Sequence, residues 1–258
     1  MSKILLSTGN LVYRMSLEAI GKVAAACGVD GLEVVINCRV VDEYEKYGKT
    51  LFELKSLPVL SLHAPYHVTG DWGTLRKELL NTIRIAIEEG IPEVTFHPPL
   101  NPFLQPEFWY FFNRVEDFSI FTDGKVELLI ETLSKTPLTS LTATPLQIKR
   151  WAESKNLKVA LDCTHIASWG ISPAEGYEMF GSLIKNIHLN NTYECRVDAH
   201  LPPHKGCLDL EELLRRVSKK YFQGDLFFVL EINFHLDSLK EIEKTISDSV
   251  AFVKSILK

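Results

Sequence analysis

The stretch 197-VDAHLPPHKG-206 places Asp198, His200 and His204 within seven residues. An Asp-x-His pair on an extended loop can direct a carboxylate and an imidazole at one cation. Donors of this kind suit zinc, manganese or iron. Pro202 and Pro203 stiffen the segment that follows, which limits the entropy lost in holding such a geometry. The same residues also fit an ordinary polar loop. What separates the two readings is whether other ligand-type side chains converge on the same place.

Such side chains recur at one kind of position. Short runs rich in Val, Ile, Leu and Phe occur at 3-KILLST-8, 31-GLEVVI-36, 58-PVLSLH-63, 92-PEVTFH-97, 126-VELLIE-131, 157-LKVALD-162, 185-KNIHL-189 and 227-FFVLEI-232. The third ends in His63, the fourth in His97, the fifth in Glu131 and the sixth in Asp162, with His165 three residues on. The seventh ends near His188, and the eighth carries Glu231 near its end. Asp, Glu and His make up 41 of 258 residues (33 acidic plus 8 His), too few for chance to put one at the end of six successive runs. A carboxylate buried at the end of an apolar strand is costly unless it is paired or bound to a cation. Singly, each residue has a plainer reading. Asp162 could cap a helix, His63 and His97 could be hydrogen-bonded core histidines, and Asp198 and His200 could sit on a solvated loop. Together they favour a metal site.

The elements that must position these residues are legible from periodicity. The apolar runs are nearly continuous, as in parallel strands covered on both faces. Helical patterns lie between them. Residues 16–28 open on Ser16 and close on Gly28, and residues 73–90 close on Gly90. Further helices are expected at 145–155, 208–219 and 237–256, and over much of the aromatic stretch 103–124. The cluster Phe108, Trp109, Tyr110, Phe111 and Phe112 reads as helix packing, ahead of a dimer contact or a base-stacking platform. Strand and helix alternating eight times predicts a (β/α)8 TIM barrel, one α/β domain over residues 1–258, with its chemistry at the C-terminal strand ends. An open doubly wound sheet is the alternative. The turn after the first run, STGNLVYR, lacks the G-x-G-x-x-G that a dinucleotide site would need.

Composition narrows the function classes. A net charge of −5 argues against broad nucleic-acid binding. No stretch reaches the roughly 18 apolar residues of a membrane span. The five cysteines are scattered without a C-x-x-C pair, and no signal-peptide pattern precedes the first run, so a cytoplasmic protein with reduced thiols is expected. Cys163 reads as a packed thiol, and His67 and His235 as structural or surface residues.

The pieces 61-SLHAPY-66, 96-FHPP-99, 130-IETL-133, 160-ALDCTH-165, 187-IHLN-190, 198-DAHLPPHKG-206 and 230-LEI-232 occur in an order that resembles the xylose isomerase-like TIM barrels. That superfamily holds endonuclease IV and many sugar isomerases and epimerases. The endonuclease IV resemblance implies up to three divalent cations, zinc first, with manganese or iron as the other candidates. One would be held by His63, His97 and Glu131. A second would share Glu131 and add Asp162, His188 and Glu231. The third would take His165, Asp198 and His200. The single-cation isomerases and epimerases correspond to Glu131, Asp162, His188 and Glu231, with the two glutamates as acid and base.

Two departures from the endonuclease IV pattern stand out. Ala199 occupies the place of an Arg inside the Asp-x-His motif, and His204 replaces a glycine two residues before Gly206. No Arg-rich set of loops suits a bent duplex. The expectation is therefore a metal-dependent phosphoester hydrolase acting on a small substrate, with abasic DNA disfavoured by charge. Glu131 or Glu231 would position or deprotonate the attacking water, and Tyr66, His204 and Lys205 would contact substrate. The alternative is a sugar or sugar-phosphate isomerase or epimerase, with Glu131 and Glu231 moving the proton.

Overall fold

Each apolar run forms a parallel strand: β1 (Lys3–Ser7), β2 (Gly31–Val35), β3 (Val59–His63), β4 (Glu93–Phe96), β5 (Glu127–Glu131), β6 (Lys158–Asp162), β7 (Ile184–Leu189) and β8 (Phe227–Leu230). The eight close into one barrel in chain order, with β8 pairing back onto β1. These relations come from a computed structural model that describes residues 2–68, 72–195, 197–219, 226–234 and 238–257. His235 and the first residue of the helix expected at 237–256 lie outside the described residues.

The surrounding helices are α1 (Leu17–Ala26), α2 (Cys38–Tyr47), α3 (Leu75–Glu89), α4 (Pro106–Arg114), α5 (Thr139–Thr142), α6 (Pro145–Ser154), α7 (Cys163–Ser168), α8 (Pro173–Phe180), α9 (Leu210–Lys219) and α10 (Leu239–Ile256). Most of their starts follow side-chain caps, the exceptions being α3, α4 and α5. Ser16 accepts from the Ala19 amide, Asn37 from Val40 and Thr144 from Gln147. Ser172 and Ser238 form capping boxes with Glu175 and Glu241. Among the described residues, no helix is long and apolar enough to cross a membrane.

The structure departs from the sequence expectation in several stretches, and neither α5 nor α8 was expected as a helix. Residues 38–47, not expected to be helical, form α2, started by the Asn37 cap and anchored by buried Val40 and Val41. The aromatic stretch is not one helix. It breaks at Val115, whose backbone is extended, and resumes as a 3-10 turn at Phe118–Phe121 started by Asp117. The break lets Phe118 fold back between Phe112 (ring centroids 5.3 Å apart) and Phe96 (6.0 Å). The aromatic face is therefore largely core, while Tyr110 stays exposed.

Alternate residues of the strands serve different interiors. Leu32, Val34, Leu62, Ile187, Leu189, Phe228 and Leu230 join the main core between barrel and helices. Burial of each such side chain contributes roughly 1.5–3 kcal/mol. Leu5, Phe227 and Val229 form a separate small cluster inside the bore. Glu33, Ser61 and Asn186, also buried, share that bore, and both Ser61 and Asn186 donate to the Glu33 side chain.

Candidate metal centre

Parallel strands put all their C-terminal ends at one mouth. Asp162 and His188 are register partners across β6 and β7, and Val35 and His63 across β2 and β3. His97 and Glu231 immediately follow β4 and β8. The mouth therefore gathers ligand-type side chains from six strand ends.

The first group is His63, His97 and Glu131. The Nε2 atoms of both histidines lie 2.8 Å from the same oxygen, Glu131 Oε2. His63 Nδ1 is 2.9 Å from its neighbour's carbonyl, Ala64 O. Donation there turns Nε2 toward the carboxylate, with which it shares a proton and where it would offer its lone pair to a cation. The second group is Glu131, Asp162, His188 and Glu231, whose ligand atoms lie within 4.8 Å of one another. His188 Nδ1 stands 3.0 Å from Glu231 Oε2 and 3.3 Å from Glu131 Oε1.

The third group is Asp162, His165 and His200, with Asp198 against both histidines. His165 donates from Nδ1 to Thr132 O (2.7 Å), which turns Nε2 toward Asp198 Oδ2 (3.1 Å). Asp162 also caps α7, accepting from the His165 amide at 2.7 Å. The cap reading and the ligand reading of Asp162 are compatible, because the cap uses Oδ1 while Oδ2, which accepts from Asn190 Nδ2, faces His188 Nδ1 at 3.9 Å. The sequence grouping differed here: Asp162 joins the third group as well as the second.

The loop carrying Asp198 and His200 is built around buried Asn191. Its backbone pairs with Leu201, and its side chain accepts from Leu208 N (3.0 Å) and donates to Pro203 O (3.1 Å). Gly206 is required beside it, with φ +134° and no room for a Cβ against Asn191 Oδ1. All five cysteines are free, although the exposed Cys195 and Cys207 thiols of this loop approach to 3.9 Å.

The electrostatics are those of a site held together by protons. Burial opposes charge on His63, but Glu131 and Glu33 overcome it and raise its pKa to about 9. Burial opposes charge on His200 too, and Glu231, Asp198 and Asp162 raise it to about 9. His165 and His188 are likewise held well above the ordinary imidazole value, against burial, by the surrounding carboxylates. Burial pushes Glu231 up, yet His200 and His188 bring it down to about 2. Asp162 is the exception: burial raises it, and the pull of His165 and His200 does not reverse that.

A divalent cation fits this donor set. Among the described residues neither ring nitrogen of buried His188 has a hydrogen-bond partner, although Nδ1 lies within 3.3 Å of two carboxylates. The Nε2 atoms of His63 and His165 are turned into the shared space by anchored Nδ1 atoms. Neutral imidazoles and carboxylates around one point are ligands for zinc or manganese, and a cation would take over the role of the protons.

Above these groups opens a cavity of about 430 Å³ lined by His63, His97, Glu131, His165, Asp198, His200 and Glu231, together with Tyr13, Asn37, Tyr66 and Asn233. Tyr66 is half exposed and stacks on His97, ring centroids 5.5 Å apart. His204 and Lys205, expected at the substrate, are not among the lining residues. The proline pair carries His204 away from the mouth to α10, where its Nδ1 is 3.3 Å from Ser249 Oγ. His67 is exposed at the rim, and Cys163 is packed and buried. Sequence reasoning missed Tyr13, Asn37, Asn190 and Glu33. The usable signal for Glu33 was an acidic residue in the middle of an apolar strand.

Residues 22–256 match the family described as the xylose isomerase-like TIM barrel. An uncharacterised protein of Mycobacterium leprae is 25% identical over 285 residues, covering 99% of this chain and 98% of that protein. A probable 3-DHS dehydratase from Bacillus anthracis superposes with a TM-score of 0.70 at 18% identity, over 96% of this chain and 98% of that one. A 3-keto-D-glucoside 4-epimerase from E. coli gives 0.71 at 14% identity, over 99% and 100%. An IolI protein with a bound zinc atom gives 0.73 at 14% identity, over 98% of each chain. Identities this low convey the fold and leave the reaction open. With the match spanning nearly the whole barrel, the chain belongs to the xylose isomerase-like TIM barrel family.

Proposed function

We propose that this protein is a divalent-cation-dependent isomerase or epimerase of a sugar or sugar phosphate. The observation that carries the reading is the group Glu131, Asp162, His188 and Glu231 at the mouth of the barrel, with oxygens of both glutamates within 3.3 Å of one histidine nitrogen. His188, Asp162 and the two glutamates would hold the cation. When bound, it would polarise neighbouring oxygens of the substrate and acidify the proton on the adjoining carbon.

The chain's own groups do the rest. Glu131 and Glu231 are both ionised at neutral pH, because the imidazoles around them hold their pKa values down. One accepts the proton from carbon and either passes it to the neighbouring carbon or releases it to solvent, while the other, protonated from solvent for this step, delivers a proton to the opposite face. Return to the opposite face inverts the centre, and return to the neighbour moves the carbonyl. Tyr66 and Tyr13 supply rings at the rim, and Asn37 and Asn233 supply amides for hydroxyls. The epimerase and dehydratase among the structural neighbours support a proton-transfer reaction, and neither of them supports hydrolysis.

Phosphoester hydrolysis at a three-cation centre, the function expected from the sequence, is kept as a second reading for one reason. His63, His97, His165, Asp198 and His200 form groups beyond the one an isomerase needs.

The test is proton exchange in D2O. Protein loaded with zinc or manganese is incubated with ketohexoses, their phosphates and 3-keto-hexosides, and deuterium at the carbon next to the carbonyl is read by NMR. Exchange that disappears in Glu231→Gln supports the proposal. No exchange with any of them, together with cleavage of bis-p-nitrophenyl phosphate, overturns it in favour of hydrolysis.

A further inference from the structure

Glu33 stands on β2, and β7 lies three places away around the barrel, past β1 and β8. Strands so placed share no backbone ladder, so contact between them must cross the bore. Glu33 makes that crossing. Its Oε2 accepts from Asn186 Nδ2 on β7 at 3.4 Å and from Ser61 Oγ on the adjacent β3 at 2.9 Å. Its Oε1 faces His188 Nε2 at 3.5 Å.

Burial makes this arrangement informative. Glu33, Ser61, Asn186 and His188 are all fully buried. A carboxylate at such a place costs several kcal/mol unless its oxygens are satisfied. Ser61 and Asn186 satisfy Oε2. Oε1 has no hydrogen-bond partner among the described residues, and neither has His188 Nε2. The two unsatisfied atoms face each other.

We propose that Glu33 is a positioning residue for the metal centre, accepting the Nε2 proton of His188 so that Nδ1 is left bare toward Glu131 and Glu231. The proposal rests on His188 being a cation ligand, as argued under the proposed function. A neutral imidazole carries one N–H, and the nitrogen that bears it cannot bind a cation. An acceptor behind Nε2 keeps the proton there, fixes the ring plane and strengthens Nδ1 as a donor to the metal. Ser61 and Asn186 in turn hold the Glu33 carboxylate, so the positioning runs from β3 and β7 through β2 to the ligand. The first two groups of the centre would then differ. His63 is oriented by a backbone carbonyl next to it in sequence, His188 by a charged side chain from across the barrel.

Glu33→Gln tests this with little change of volume. Its amide oxygen can keep the bonds from Ser61 and Asn186, which turns an NH2 toward His188 Nε2 and favours the proton on Nδ1. The full chain, stripped by chelator, is titrated with zinc against a chromophoric competitor. The imidazole N–H of His188 is followed by 1H–15N NMR in the zinc-saturated protein, where Nδ1 carries no proton, and is assigned by its loss in His188→Gln. The expected result is zinc affinity about 10–100-fold weaker in Glu33→Gln, loss of the hydrogen-bonded Nε2 proton signal, and partial recovery of both in Glu33→Asp. Zinc affinity within twofold of the wild type in Glu33→Gln overturns the proposal, and a fall in melting temperature alone counts as a structural role and overturns it too. A wild-type protein that binds no zinc or manganese overturns the proposed function instead, a result separable from equal binding by wild type and variant.

Discussion

His200 Nε2 lies 2.7 Å from Asp198 Oδ1, and His200 reaches it with a left-handed backbone, φ +48°. That conformation is uncommon for a residue with a Cβ and costs on the order of 1–2 kcal/mol. It is maintained because the Asn191 network over-determines the loop. The relationship raises the question of whether the third group serves the reaction or only the loop.

Under the proposed function, His200→Ala and His165→Ala retain activity within about tenfold, because the proton-transfer pair lies in another group. Elemental analysis of the same proteins reads the cation count. Complete loss of turnover in both variants, with a fall from three cations to two, would sink the isomerase reading.

Glu131→Gln and Glu231→Gln are each expected to lower proton exchange by about 10²–10⁴-fold. The loss should appear in kcat more than in KM, since the carboxylate acts on the proton in flight. Equal residual exchange in both variants and in wild type would remove them from the mechanism.

The imidazole shifts fix a pH dependence. His63 and His200 titrate near 9 when folded, against an ordinary 6.5. Between those values the folded, cation-free protein binds more protons than the unfolded chain, so its stability falls as pH rises from 6.5 to 9. A cation competes with those protons, so zinc affinity rises over the same window and binding releases protons. Calorimetry with chelator and with zinc at pH 6.5 and 9 checks both signs. A zinc-induced rise in melting temperature that is larger at pH 6.5 than at pH 9 would contradict the assignment.

Tyr66 and Lys205 were both expected to contact substrate, and only Tyr66 lines the cavity. Tyr66→Ala is expected to raise KM several-fold, and Lys205→Ala to leave kcat and KM within about twofold. Steady-state kinetics on the substrate identified by exchange decides it, and the reverse pattern would place the substrate over the 202–206 segment.

Asn191→Ala removes four hydrogen bonds from the loop core. It should destabilise the fold by about 2–3 kcal/mol, measured by urea unfolding. A change below 0.5 kcal/mol would mean that the loop is held by other contacts.

By itself the sequence determined the barrel and the mouth. Eight apolar runs are parallel strands because each must be covered on two faces, and His63, His97, Glu131, Asp162 and His165 were legible because ligand-type residues stood where such strands end. Tertiary structure decided what periodicity does not encode. Closing the barrel set β2 across from β7 and so joined Glu33 to His188, residues 155 positions apart whose pairing no local pattern reports. It gave Asp162 two roles, as helix cap and as member of two ligand groups. It sent His204 to Ser249 instead of the cavity, because loop direction after Pro202 and Pro203 depends on what Asn191 and Gly206 pack against. Residue type and strand end are properties of the chain, whereas distance across a bore belongs only to the closed sheet.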